Sequence, residues 1–200
     1  NSPTLLNAGK KLQQLAACFV LPIEDNISSI FKALHDAALI HKTGAGTGFN
    51  FSNLRPKGDI IESSGITSGA VSFMKIFDAA TEQIKLGGNL RGANMGILNV
   101  DHPDIEDFIT VKIKENVLTN FNVSVAISDK FMDAVKKNKT YSLVNPRTKK
   151  AVKKENAKKI FRLICQNAWL NGDPGVIFID RINEFNPTPE FGRIESTDSC

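Results

Sequence analysis

The residues in this 200-residue chain best suited to redox chemistry are its three cysteines, Cys18, Cys165 and Cys200. Sulfur is the side-chain atom that cycles between thiol and disulfide. The odd number and wide spacing argue against a disulfide-stapled secreted domain, and the lack of any Cys-x-x-Cys pair argues against a zinc site. His35, His41 and His102 show no metal-ligand spacing either. A free cysteine is most often a small core hydrophobe, and Cys165, on the apolar side of a helical pattern, fits that role. Spacing alone does not bring Cys18 and Cys200 together. Two glycine-rich segments stand beside the cysteines. His41 to Asn50 reads HKTGAGTGFN, with Gly44, Gly46 and Gly48 at alternate positions and Lys42 available to an anion. Without Cβ atoms, such positions let backbone approach a ligand closely, although a tight helix-to-strand turn explains the same pattern. It is neither a Walker loop nor a dinucleotide fingerprint, because it runs into a strand. Gly87 to Gly96 reads GGNLRGANMG and places the Arg91 guanidinium in a flexible loop, either as a plain surface connection or as a loop that rearranges around a ligand.

The elements that must position these groups follow from hydrophobic periodicity. Five short apolar runs read as strands: Cys18–Ile23, Gly48–Phe51, Met95–Val100, Asn122–Ile127 and Gly175–Ile179. Helical stripes lie between them. Asn26–His41 carries Ile27, Ile30, Phe31, Leu34, Ala38 and Leu39, with Asn26 or Ser28 as cap. Ser68–Leu86 follows, then Pro103–Lys112 with Asp101 as N-cap, Asp129–Lys137, and Glu155–Leu170 with a stripe through Ile160, Leu163, Ile164 and Trp169. Tyr141–Val144 and Ala151-Val152 suggest a hairpin around Asn145-Pro146. Strand-helix alternation predicts an α/β fold with a parallel sheet and right-handed crossovers. Net charge is +4, with 25 basic and 21 acidic residues. The lysines concentrated between Lys136 and Lys159 lack the interleaved aromatics of a nucleic-acid surface and read as a solvated face. No apolar run reaches the roughly 20 residues of a membrane span, so neither nucleic acid nor membrane is an expected partner. Reduced thiols predict a cytoplasmic setting.

Several long phrases carry a family resemblance. NSPTLLNAG, LAACFVLPIED, HKTGAGTGFNFSNLRPKGD, SFMKIFDAAT, GGNLRGANMGILNVDHPDIEDFI and GDPGVIFIDRIN, in this order, resemble the catalytic subunit of ribonucleotide reductases, most closely the adenosylcobalamin-dependent branch. The resemblance implies a ten-stranded α/β barrel of two five-stranded halves. Residues 1–200 would be a single partial domain, the first half, cut at both ends from a longer chain. It implies reduction of ribonucleotides to 2′-deoxyribonucleotides by a thiyl radical. Cys200 would stand on the loop after the fifth strand and abstract the ribose 3′ hydrogen. Cys18 would be one member of the reducing dithiol, its partner lying beyond residue 200.

Other positions acquire roles from the same resemblance. Ser2, Ala17, Cys18, Gly46 and Arg91 would contact substrate. Asp25, Lys42 and Arg55 would bind an allosteric nucleotide, a deoxynucleoside triphosphate or ATP, and residues 58–65 and 87–96 would be loops coupling effector to substrate. Implied partners are adenosylcobalamin, a dithiol reductant such as thioredoxin, and a second copy of the chain across the helices Asn26–His41 and Ser68–Leu86. One departure is visible. Where the family reads Asn-Pro-Cys-Gly-Glu, this chain reads Asp198-Ser199-Cys200, so Asp198 replaces the Asn that orients substrate hydroxyls, and the Glu that accepts the 3′ hydroxyl proton would lie beyond Cys200. The alternatives are a class I large subunit with a separate radical-generating subunit, a nucleotide-binding regulatory module without catalysis, and a plain structural α/β fragment.

Overall fold

Alternating helical and extended segments give a computed structural model that describes residues 2–11, 13–61, 65–84, 92–114 and 116–198. Its strands are β1 (Cys18–Val20), β2 (Gly46–Asn50), β3 (Ile60–Ile61), β4 (Gly65–Ile66), β5 (Asn94–Asn99), β6 (Phe121–Ile127), β7 (Thr140–Val144), β8 (Ala151–Asn156) and β9 (Gly175–Phe178). Its helices are α1 (Ser2–Asn7), α2 (Ile27–His41), α3 (Ala70–Gln83), α4 (Ile105–Ile109), α5 (Asp129–Lys136), α6 (Ala157–Asn171) and α7 (Ile179–Glu184). The five predicted strands form one parallel sheet in the order β1-β2-β5-β6-β9. β3–β4 and the hairpin β7–β8 are separate two-stranded ribbons.

Each strand of the large sheet lies beside the one before it, with no reversal of order. That is the winding of a barrel, not of a doubly wound sheet. β1 and β9 are the edges of the sheet and do not pair with each other among the described residues. One face is the core. Phe49, Leu98, Phe121, Val123, Val125 and Ile127 pack there against Ile30, Ala33, Met74, Phe77, Ile160 and Ile164 of the helices. Phe49, Phe51 and Phe77 meet edge-on or tilted, with centroids 4.9 to 5.8 Å apart. Residues of the other parity, Cys18, Gly46, Gly48, Asn50, Met95, Ile97 and Asn99, share the opposite face by strand register.

Local signals behave as their chemistry dictates, with some corrections. Asn26 caps α2 by accepting the Ser29 N–H. Asp101 does not cap α4: Asp104 takes the cap position, and its buried carboxylate instead accepts the Lys57 and Ala70 N–H groups, closing the start of α3. α6 starts after Asn156, and Glu155 belongs to β8. Cys165 is exposed, against its expected place in the core. The buried stripe of α6 is Ala157, Ile160, Ile164 and Asn167. At 100° per residue, Trp169 lies about 140° around the helix from Ile164, and it is 85% exposed. In α2 the buried stripe is Ile30, Ala33, Ala37 and His41, which leaves Ile27, Phe31 and Leu39 exposed.

Candidate functional site

Gly46 and Gly48 occur at alternate positions of β2, so both lack a side chain on the same face of the sheet. The segment after α7 takes up that space. The Asn50 side-chain amide donates to the Glu195 carbonyl at 2.7 Å. A Cβ on Gly48 would lie 2.8 Å from the Thr197 carbonyl carbon and nearer still to its oxygen. A Cβ on Gly46 would lie 2.7 Å from the Asp198 Oδ2. Residues 195, 197 and 198 therefore stand over 50, 48 and 46, and the segment runs back along β2 toward its start. Within the segment Ser196 is 4% exposed, and Ile97 on the facing side of the sheet is fully buried.

The segment arrives beside Cys18, which pairs in register with Gly46 across the β1–β2 ladder. The Gly46 N–H donates to the Ala17 carbonyl at 2.7 Å, locking that register. α1 is tied to the approach to β1: Thr4 Oγ1 donates to the Leu15 carbonyl and Asn7 Nδ2 to the Gln14 carbonyl. Thus Ala17, Cys18, Gly46 and Asp198 converge at one end of β1 and β2. Ser2 opens α1. Cys200 and Arg91 lie outside the described residues.

A second cleft lies at the other end of α2. Asp25, Asn26, Ile30, Arg55, Ile61 and Phe73 line a space of about 120 Å³. Arg55 Nε donates to Asp25 Oδ2 at 2.8 Å, its backbone N–H to Oδ1 at 3.1 Å, and its Nη1 to the Ile60 carbonyl. The arginine thus binds β3 to the start of α2. Lys42 does not join them. It follows the last turn of α2, about 22 Å from the cleft end for a helix of 15 residues. Asp59, at the base of the ribbon, is gripped by Arg147 and Asn145 of the β7–β8 turn. The Arg147 guanidinium first, and the Asn145 amide second, hold its carboxyl well below the usual carboxylate range.

On the helix-covered face of the sheet a buried polar chain runs from the end of α2 through β2 and β5 to α3. Thr47 Oγ1 donates to Asn94 Oδ1 at 2.8 Å, so the His41 Nε2 must be the donor in its 2.9 Å bond to the same hydroxyl. Asn94 Nδ2 reaches Thr81 Oγ1 of α3. Burial holds the His41 imidazole below its ordinary pKa. Its ring packs on Gly92, where a Cβ would come within 2.6 Å of Cγ. Among the described residues no group of His, Cys, Asp and Glu is placed to hold a metal ion.

Comparison with known proteins bears on this arrangement. The model of the ribonucleotide reductase barrel domain matches residues 16–200. The chain belongs to that family. It is 57% identical over its whole length to a vitamin B12-dependent ribonucleoside-diphosphate reductase of Thermoplasma acidophilum, and covers 26% of that protein. It is 50% identical to the protein of the same name in Mycobacterium tuberculosis, covering all of this chain and 29% of that one. A Bacillus subtilis ribonucleoside-diphosphate reductase alpha subunit is 28% identical over the whole chain, which covers 21% of that subunit. The chain thus spans under a third of the length of these relatives. The parallel five-stranded sheet, wound in chain order, agrees with membership in this barrel family.

Asn50 and Asn183 were not singled out by sequence reasoning, although both hold the segment that reaches Cys18. Asn50 is the final residue of the glycine-rich phrase, so its position was visible. Its partner, a backbone carbonyl 145 residues away, was not.

Proposed function

We propose that the full-length protein reduces ribonucleotides to 2′-deoxyribonucleotides, and that residues 1–200 supply the first half of its catalytic barrel. The observation that carries this reading is the passage of residues 195–198 over Gly48 and Gly46 to the side of Cys18. A loop laid on the inner face of the sheet, two residues short of Cys200, suits a radical on that sulfur shielded from water. In this reading a Cys200 thiyl takes the ribose 3′ hydrogen and becomes a thiol. The 2′ hydroxyl leaves as water with a proton from the reducing dithiol, of which Cys18 is one member. That pair gives its second hydrogen to the 2′ carbon, supplying two electrons in all, and closes as a disulfide; the 3′ hydrogen then returns from Cys200, which is again a thiyl radical. Asp198, whose carboxylate lies against Gly46, faces the substrate with acceptor oxygens only when ionised. Ser2 and Ala17 position substrate through their backbone, and Arg91 offers it a guanidinium.

The names of the relatives favour adenosylcobalamin as cofactor and ribonucleoside diphosphates as substrate. Bound to the complete enzyme, adenosylcobalamin would supply the radical-generating chemistry. A dithiol reductant of the thioredoxin kind would reopen the disulfide, in the cytoplasm. The Asp25–Arg55 cleft is the proposed effector site, the Asp25 carboxylate taking ribose hydroxyls and Arg55 the more anionic parts, while Lys42, at the far end of α2, takes no part in it. The exposed Ile27, Phe31 and Leu39 of α2 and Ile76 of α3 support a second copy packed there.

The test uses full-length protein, a ribonucleoside diphosphate, adenosylcobalamin and a dithiol. Deoxynucleotide should form, and Cys18→Ser should abolish multiple turnover. Sustained turnover by that variant would refute the role of Cys18. Product only with an iron or manganese partner subunit would support class I, and nucleotide binding without product a regulatory module.

A further inference from the structure

Among the described residues the segment over β2 pairs with no strand, so something else must fix its height and register above the sheet. The described residues show what does. Asn183, in the last turn of α7, makes a two-point contact with the backbone of Ile194: its Nδ2 donates to the Ile194 carbonyl at 2.9 Å, and its Oδ1 accepts the Ile194 N–H at 2.8 Å. This reproduces with one side chain the pair of bonds that a neighbouring strand would give. The same Nδ2 also donates to the Ile179 carbonyl one turn back, which fixes the amide's orientation. One residue later, Asn50 at the end of β2 donates to the Glu195 carbonyl at 2.7 Å, while its Oδ1 accepts the Ser52 N–H. Both ends of each amide are used. Two asparagines from different elements therefore grip consecutive residues, immediately before the chain passes over Gly48 and Gly46.

We infer that Asn50 and Asn183 are positioning residues that set how far residues 196–198 reach toward Cys18, and through that the geometry of the reducing centre. The inference rests on the proposed radical loop and gives it an anchor. Neither side chain need touch substrate. Asn is suited to the task because its amide is a donor and an acceptor in one plane. Asp would lose the donor half at Asn183, and Leu would lose both.

The experiment uses the full-length protein carrying N50A, N183A, N183D or the pair N50A/N183A. Amide hydrogen exchange of the peptide spanning 193–198 is read first, because it needs no activity. Exchange at Ile194 should quicken at least tenfold in N183A, with core strands β5 and β6 unchanged. N183D, which keeps the acceptor for the Ile194 N–H, should quicken it less than N183A. Turnover is read second: kcat should fall at least tenfold while KM stays within about twofold. The pair should cost less than the product of the single losses, since both release one segment. Unchanged exchange in both single variants would overturn the clamp, and so would faster exchange with wild-type kcat. If N183A fails to fold, N50A decides by the same two readouts. Wild-type protein that reduces no ribonucleotide would refute the proposed function, with the exchange result still deciding the clamp.

Discussion

Replacing Gly48 by Ala should abolish most of the proposed reductase activity while leaving the sheet intact. The added Cβ would sit 2.8 Å from the Thr197 carbonyl carbon, 3.2 Å from the Asp198 Cα and closer still to the Thr197 oxygen, where ordinary contact begins near 3.4 Å. The obstacle is backbone, so no rotamer change relieves it. The segment must lift by an ångström or more, or β2 must sink into the Phe49–Phe51–Phe77 cluster behind it, which is fully buried and closely packed. Lifting is the smaller disturbance, because residues 195–198 rest on hydrogen bonds and not on core packing. A misplacement of about 1 Å in a catalytic geometry costs on the order of a hundredfold, so kcat should drop by about that factor. Gly46→Ala is the internal control. Its Cβ meets the Asp198 carboxylate, with Oδ2 at 2.7 Å and Oδ1 at 3.1 Å. That is the end of a side chain that can swing aside by changing rotamer, and the loss should stay within about tenfold. The assay is deoxynucleotide formation by full-length protein, with a melting curve for each variant. A G48A enzyme retaining more than a tenth of wild-type kcat, or one impaired less than G46A, would refute the reasoning.

Two further predictions concern stability, each measured on the full-length protein. Arg147→Ala should release the Asp59 carboxyl from its two guanidinium bonds and cost about 1 kcal/mol, since Arg147 is partly solvated. Because the folded carboxyl is held below its unfolded pKa, its contribution is present above about pH 4 and lost as pH falls through the folded value. The gap between the melting curves of wild type and R147A should therefore hold from pH 6 to about 4 and narrow progressively as pH falls further to 3; a constant gap would disprove the assignment. His102 behaves in the opposite sense to a salt-bridged histidine. Its Nδ1 accepts the Asp104 N–H and its Nε2 donates to the Leu54 carbonyl, and burial lowers its pKa from 6.5. The neutral form is the folded form, so its contribution is full above pH 6.5 and declines as pH drops below it. His102→Gln should flatten that part of the stability profile, and an unaltered slope would count against it.

Much of the fold was legible because strands and helices each have a period that apolar residues must match. All five strands of the sheet were found, with ends displaced by up to three residues, as at β1, which stops at Val20 before Pro22. What failed was the choice of face. In α2 and α6 apolar residues occur on two sides, and periodicity alone does not say which side meets the sheet. The small residues Ala33 and Ala37 settle it in α2, and the sequence ranks them below Phe31 and Leu39. Of the candidate site residues, Cys18, Gly46 and Asp198 were picked out by residue type and family resemblance, and they lie side by side. Their convergence was not legible, because it depends on contacts spanning more than 140 residues.

The two faces of the sheet explain why the glycines belong where they are. The helix face is filled by Phe49, Leu98, Phe121, Val123 and Val125, residues that bury large apolar area. The other face offers Gly46, Gly48, Asn50, Asn99 and Ser124 along the strands, together with the apolar Met95 and Ile97. A face meant only for packing would gain from branched apolar residues at every one of these positions. Glycines and amides are poor core but a good bed for another piece of backbone: the glycines admit it at contact distance, and the Asn50 amide donates to one of its carbonyls, that of Glu195. The stability given up on this face is therefore tied to one requirement, that residues 195–198 lie close to β2. Filling the bed with larger side chains should raise the packing of the sheet and lower activity together. Gain in one with loss of the other is the signature that separates a functional face from an imperfect core.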